Sequence, residues 1–145
     1  MKTIRQLLAS KGSQVWTIAP GASVFDALQL MADKGIGALL VTEGERVVGV
    51  ISERDYARKV ALRGKLSKTL LVKDIMTSPV TSVSPDQNTE ECMALMTDKH
   101  IRHLPVLESG KLIGVVSIGD LVKNIISEQK ILIKNLEQYI GGAPV

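Results

Sequence analysis

The chain repeats itself. Residues 15 to 60 align, without a gap and at a constant offset of 65, on residues 80 to 125. Val15 falls on Val80, Pro20 on Pro85, Leu30-Met31 on Leu95-Met96 and Asp33-Lys34 on Asp98-Lys99. The register holds through Ile36 and Ile101, Val41 and Val106, Gly49-Val50 and Gly114-Val115, Ser52 and Ser117, and Asp55 and Asp120. Self-similarity at a fixed period means that one supersecondary unit occurs twice, and units this short share a core rather than fold alone. Upstream, IRQLL at 4 to 8 resembles VKDIM at 72 to 76 at an offset of 68, so the loop that follows is three residues longer in the first copy.

Each copy predicts the same order of elements. A short strand around Trp16 to Ile18, or Thr81 to Val83, meets a turn containing Pro20 or Pro85. Ser23 or Asn88 then caps a helix over 24–34 or 89–99, because its side chain accepts the unsatisfied N–H groups of the first turn. Val24, Leu28 and Met31, and Met93 and Met96 in the other copy, recur at the spacing that buries one helix face. Two apolar runs follow, IGALLVT and VVGVIS or RHLPVLE and LIGVVS, parted by Glu-Gly-Glu or Ser-Gly-Lys turn signals and predicted as strands. A second helix comes after each. The fold class is α+β, two tandem β-α-β-β-α repeats followed by a C-terminal helix. The expected organisation is 1–64 for the first repeat with its N-terminal helix, 65–71 for a linker, 72–126 for the second repeat and 127–145 for a helical extension.

The chemistry-bearing stretch is GVISERD at 49 to 55, mirrored by GVVSIGD at 114 to 120. Ser-x-x-Asp before a helix is a capping box, in which Ser52 accepts from the third helical N–H and Asp55 reaches back. A helix start with spare N–H groups is also a seat for phosphate, and Arg54 adds a forked cation suited to it. The two oxygens of Asp55 suit the adjacent hydroxyls of a ribose. The corner is therefore open to two readings, capping alone or capping with a bound sugar phosphate.

Composition closes off other classes. A chain of 145 residues with 45% hydrophobic side chains can bury roughly 70% of its unfolded surface, and with 3% aromatics the core must be aliphatic. The single cysteine, Cys92, excludes an internal disulfide and suits a reducing compartment. MKTIRQLLAS lacks the apolar run of a signal peptide, and no stretch approaches the roughly 20 apolar residues of a membrane span, so the expected location is cytoplasmic. A net charge of +3 spread over scattered Lys and Arg, with few aromatics to stack on bases, argues against nucleic acid. His100, His103 and Cys92 lack the close spacing of a zinc site, so no metal is expected, and Cys92 on a partly apolar helix face reads as a buried, inert thiol. With no nucleophile elbow, Walker loop or paired-carboxylate pocket, neither catalysis nor a catalytic cofactor is expected.

The doubled unit resembles a tandem pair of cystathionine-β-synthase (CBS) domains, the regulatory pair called a Bateman module. The resemblance rests on MTSPV at 76 to 80, IRHLPV at 101 to 106 and the two corners, covers residues 3 to about 126, and is nearest to stand-alone bacterial signal-transduction members. It implies repeats packed with pseudo-two-fold symmetry and a non-catalytic module that senses adenosine-type ligands in two clefts. AMP, ADP or ATP are expected, with NAD or S-adenosylmethionine as alternatives and a ligand-free dimeric scaffold as another. By this resemblance Ser52, Arg54, Asp55, Ser117, Asp120, Arg102 and His103 would hold ribose and phosphate. Thr17, Ile18, Ile36, Gly37 and Ala38 would line one adenine pocket, and Met76, Thr77, Val80, Ile101, Arg102 and His103 the other. Gly37-Ala38 also argues independently for space, because two small side chains let a flat ring approach the backbone. The copies differ at these positions. Gly119 stands opposite Arg54, and Arg102-His103 opposite Gly37-Ala38, so the sites are expected to be unequal, with Asp55 marking the stronger phosphate site.

Beyond the repeats, DLVKNIISEQKILIKNLEQYI at 120 to 140 carries Val122, Ile126, Ile133, Leu136 and Ile140 at alternating spacings of four and three, interrupted by Gln129. Leu121, Ile125, Leu132 and Tyr139 widen the stripe, which needs cover. Either TIRQLL at 3 to 8 supplies it or a second copy does. Since CBS pairs commonly assemble as dimers, the resemblance implies a homodimer, with a downstream protein partner that the sequence does not name. Gly141-Gly142 are expected to stop the helix.

Overall fold

Side-chain caps start the helices where the sequence puts them. In the computed structural model, which describes residues 2–142, Ser23 Oγ accepts from the Asp26 amide at 3.0 Å and Asn88 Oδ1 from the Glu91 amide at 2.8 Å. Met1 and residues 143–145, the outer ends of the expected first repeat and tail, lie outside the described residues. The elements in order are α1 (Ile4–Lys11), β1 (Thr17–Ile18), α2 (Val24–Lys34), β2 (Ala38–Glu43), β3 (Arg46–Ser52) and α3 (Glu53–Tyr56), which runs into a π-helical turn (Ala57–Ala61). Then come α4 (Val72–Ile75), α5 (Thr89–Lys99), β4 (His103–Glu108), β5 (Lys111–Ser117) and α6 (Ile118–Glu137), which ends in a second π-helical turn (Gln138–Gly142).

Each repeat is a hairpin with a helix across it. β2 and β3 pair antiparallel with β1 added in parallel, and β4 and β5 form the matching hairpin. Both hairpins slip register at equivalent points, between Val41 and Thr42 and between Val106 and Leu107. The expected strand at Thr81 to Val83 contracts to Val83 alone, which bridges Val106. Pro105 explains this. Its carbonyl accepts from the Val83 amide at 3.0 Å, and the N–H that would continue the ladder on that side is the one proline lacks.

The two cores are filled crosswise. Ile4, Leu7 and Leu8 of α1, which precedes the first repeat, are buried in the second with Cys92, Met96, Leu104, Val116 and Leu121. Val72 and Ile75 of α4, which precedes the second repeat, are buried in the first with Val24, Met31, Leu39 and Ile51. Backbone bonds repeat the exchange. The Ile4 amide donates to Gln87 O and the Val72 amide to Ala22 O, both at 2.8 Å, while Arg5 donates to Pro85 O at 2.9 Å and Lys73 to Pro20 O at 3.0 Å. Antiparallel bridges Thr3 to Asn88 and Ser23 to Leu71 complete the symmetry.

A glycine in each hairpin makes room for the donated segment. A Cβ on Gly114 would lie 2.7 Å from Leu8 Cδ2, and one on Gly49 would lie 2.5 Å from Met76 Sδ. Burying side chains of this size stabilises by about 1.5–3 kcal/mol each, whereas the exposed Arg5 ion pairs with Glu108 and Asp86 add little. Packing therefore holds the halves together. Cys92 lies fully buried in the second core, and burial first, then the charge of Glu91, pushes its thiol up to about 11. A thiol so placed is inert at neutral pH.

The tail behaves differently from one of the two expected arrangements. Ile4, Leu7 and Leu8 of TIRQLL lie in the second core with Leu121 from the start of α6, so this segment covers the beginning of the stripe and leaves its outer part uncovered. Ile131, Leu132, Ile133, Leu136, Tyr139 and Ile140 are exposed over 49–80% of their surface. Gly141 and Gly142 do not stop the helix at its α-helical end but lie inside the terminal π-helical turn. No described helix is long and apolar enough to cross a membrane.

Gly114→Val should cost about 1–3 kcal/mol in urea unfolding by evicting Leu8, and Leu8→Ala introduced alongside it should cost less than it does alone. Strictly additive losses would show that the two residues do not share one notch.

Candidate functional site

The two capping boxes form as the Ser-x-x-Asp pattern requires, and their surroundings differ. At the first corner Asp55 Oδ2 accepts from the Ser52 amide at 2.9 Å and from Ser52 Oγ at 3.0 Å. Its Oδ1 is engaged as well, by Lys59 Nζ at 3.1 Å and by Thr77 Oγ1 at 3.3 Å. Both oxygens are taken by the protein, the side chain is 13% exposed, and Asp55 lines none of the five principal clefts among the described residues.

At the second corner Asp120 Oδ2 accepts from the Ser117 amide at 2.9 Å and from Lys11 Nζ at 2.6 Å, and Lys11 Nζ also donates to Val115 O at 2.8 Å. Among the described residues no hydrogen bond reaches Asp120 Oδ1. Asp120 borders a cleft of about 390 Å³ between the repeats. One wall comes from the first repeat, with Trp16, Ile36, Gly37, Ala38 and Val50, and the other from the second, with His103, Val115, Ser117 and Asp120. Lys11 and Gln14 line it as well. The volume falls in the range of small-molecule sites.

Electrostatics prepares this cleft for a polar ligand. Burial pushes the Asp120 carboxyl up, but the hydrogen bonds from Lys11 and Ser117 together with the Lys11 charge outweigh it and hold the pKa below its ordinary value. The group is a carboxylate at neutral pH. Burial lowers the pKa of His103, with Arg102 and Lys11 acting in the same direction and Asp120 against them. Its imidazole is therefore neutral at pH 7, with one nitrogen to donate and one to accept.

The expected site residues are divided among several places. Ile36, Gly37, Ala38, His103, Ser117 and Asp120 meet in the cleft, while Thr17 and Ile18 stand beside it on β1 and Trp16 takes the wall position instead. The second expected adenine pocket is not assembled. Met76 and Val80 border a groove of about 530 Å³ with Arg46 and Pro105, and Ile101 and Arg102 border one of about 460 Å³ with Arg54. Thr77 is on Asp55 and Ser52 is its capping partner. Where the open cleft has the small wall Gly37-Ala38, its counterpart has Arg102-His103. Sequence reasoning missed Lys11, Gln14 and Trp16. Gln14 belongs to the loop that is three residues longer in the first copy, a visible signal, whereas Lys11 reaches Asp120 only through the crossed packing of α1.

Comparison with known proteins agrees with this architecture. The CBS domain model matches residues 6–62 and 72–127. "CBS domain-containing protein CBSX3, mitochondrial" of Arabidopsis thaliana is 38% identical over 150 residues, spanning 97% of this chain and 72% of its own. A solved structure described as a signal-transduction protein with CBS domains, from Burkholderia ambifaria MC40-6, matches with a TM-score of 0.85 at 53% identity, covering 88% of this chain and 96% of that one. A hexameric CBS-CP12 protein from bloom-forming cyanobacteria matches with a TM-score of 0.74 at 30% identity, over 83% of this chain and 66% of that one.

The unfolded chain gains a proton on His103 near its ordinary pKa of 6.5, while the folded chain resists it until lower pH. Stability should therefore be complete above about pH 6.5 and fall as the pH drops towards the folded pKa. Urea midpoints measured from pH 8 to 5.5 should decline less for His103→Gln than for the parent, and parallel declines would remove His103 as the cause.

Proposed function

The chain belongs to the CBS-domain family as a tandem pair, and from that premise we propose that it is a non-catalytic regulatory module that binds one adenosine-type ligand, AMP foremost, in the cleft at Asp120. The observation that carries this reading is the meeting of Gly37-Ala38 from one repeat with the Ser117–Asp120 helix start of the other across about 390 Å³. A flat base lies against the small-residue wall beside Trp16. The ribose diol donates to the Asp120 carboxylate, whose Oδ1 no protein donor occupies among the described residues. Phosphate takes the end nearest the first amides of α6, a helix of 20 residues whose dipole favours an anion there.

This reading reverses the expected ranking of the corners. Asp55, with both oxygens bonded inside the first repeat and to Thr77, serves as a structural cap, and Asp120 carries the ligand. A ligand gripped by both repeats signals only through the difference in its affinity for their alternative arrangements. Another protein then reads the changed angle between them.

Self-association completes the proposal. The stripe on α6 keeps the four-three spacing of a helix that meets another helix, and with its outer part from Ile131 to Ile140 exposed a second copy is the fitting cover. The hexameric state named for the CBS-CP12 relative supports assembly of this kind.

Calorimetric titration of AMP should show Asp120→Asn losing about tenfold or more in affinity, about 1.4 kcal/mol, and Asp55→Asn losing far less. Equal losses, or no AMP binding to the parent, would overturn the assignment. Removal of residues 127–145 should convert a sedimenting dimer to monomer, and an unchanged dimer would clear the tail.

A further inference from the structure

We propose that Lys11 is the specificity residue of the cleft, changing partners from Asp120 to a phosphate when the ligand enters, so that the site selects phosphorylated adenosine ligands over neutral or cationic ones. The inference rests on the adenosine-type reading above and assigns a role to a side chain from outside both site motifs.

It follows from counting donors at one carboxylate. Asp120 borders the cleft, and its Oδ2 already receives the Ser117 amide at 2.9 Å and the Lys11 ammonium at 2.6 Å, while no hydrogen bond reaches Oδ1 among the described residues. A ribose diol brings two O–H donors that lie at the spacing of two carboxylate oxygens. One reaches Oδ1 directly. The other competes for Oδ2, where the Ser117 amide is fixed by the capping box and the Lys11 ammonium, on its flexible stem, is the donor able to leave.

The departing ammonium stays at the cleft. Lys11 is at the last position of α1, its side chain is 28% exposed, and its bond to Val115 O at 2.8 Å keeps it over the site. Left without a counter-charge beside the neutral imidazole of His103, it makes the occupied cleft attractive to an anion and repellent to a cation. A phosphate ester on the ribose restores the lost ion pair in the same place. An uncharged nucleoside brings the same diol but returns no counter-charge to Lys11, and a ligand carrying a sulfonium adds a second positive charge. The same movement reaches the fold, because Lys11 ends the helix whose Leu8 fills the Gly114 notch.

The test titrates AMP and adenosine separately into the parent, Lys11→Gln and Lys11→Arg, with the thermal unfolding of each variant confirming that it is folded. The parent should favour AMP over adenosine by about tenfold or more, Lys11→Gln should compress that ratio to within about threefold, and Lys11→Arg should retain most of it, since guanidinium also binds phosphate. Raising salt should weaken AMP binding to the parent and leave adenosine binding nearly unchanged. A parent that binds both compounds with equal affinity, or a Lys11→Gln variant that keeps the full preference, overturns the role of Lys11 and leaves the adenosine-type reading standing. Failure of the parent to bind either compound overturns that reading and this inference with it.

Discussion

Each half of the chain is completed by the segment that precedes the other half. Ile4, Leu7 and Leu8 leave the first repeat to close the second core, and Val72 and Ile75 leave the second repeat to close the first. The exchange is reciprocal down to individual bonds, with the amides of Ile4 and Val72 finding carbonyls at equivalent positions, Gln87 and Ala22, at the same 2.8 Å. Neither repeat can satisfy its own hairpin and helix without the other, and so the angle between them is a property of the whole chain. Gly49 and Gly114 are the condition for it, because any side chain there occupies the space of Met76 or Leu8.

This crossing also makes the two corners structurally unequal. α1 ends at Lys11, which it carries over the second repeat to Asp120 and Val115, whereas the equivalent segment α4 leads into Thr77, which bonds Asp55 and helps to close that corner. Gly37-Ala38 line the open cleft, whereas of the equivalent pair His103 lines that same cleft and Arg102 borders a separate groove. One duplicated motif thus yields one sealed cap and one open cleft. The chemical resources of the open cleft come from three parts of the chain far apart in sequence, the end of α1, the first hairpin and the second hairpin.

The duplication was legible because matching residues recur at a fixed interval, and with it came the helices 24–34 and 89–99, both hairpins and both capping boxes, all set by local side-chain chemistry. The family was legible from the same corners. What local patterns could not carry was partnership across the chain. Nothing near Lys11 points to Asp120, and nothing near Asp55 announces that Lys59 and Thr77 occupy its second oxygen. The loss of a strand at Thr81 to Val83 depended on Pro105 two elements away, and the destination of TIRQLL on a core that the repeat boundary assigned to the other half. Local rules hold within elements, whereas sites between repeats depend on how the elements are exchanged.

Stoichiometry tests the central claim most directly, since two equivalent capping boxes offer two sites on paper, while of their two carboxylates only Asp120 borders one of the principal clefts among the described residues. Equilibrium dialysis of the full chain against labelled AMP, carried to saturation, should plateau at one nucleotide per chain. A plateau at two, or none at any concentration, would contradict it.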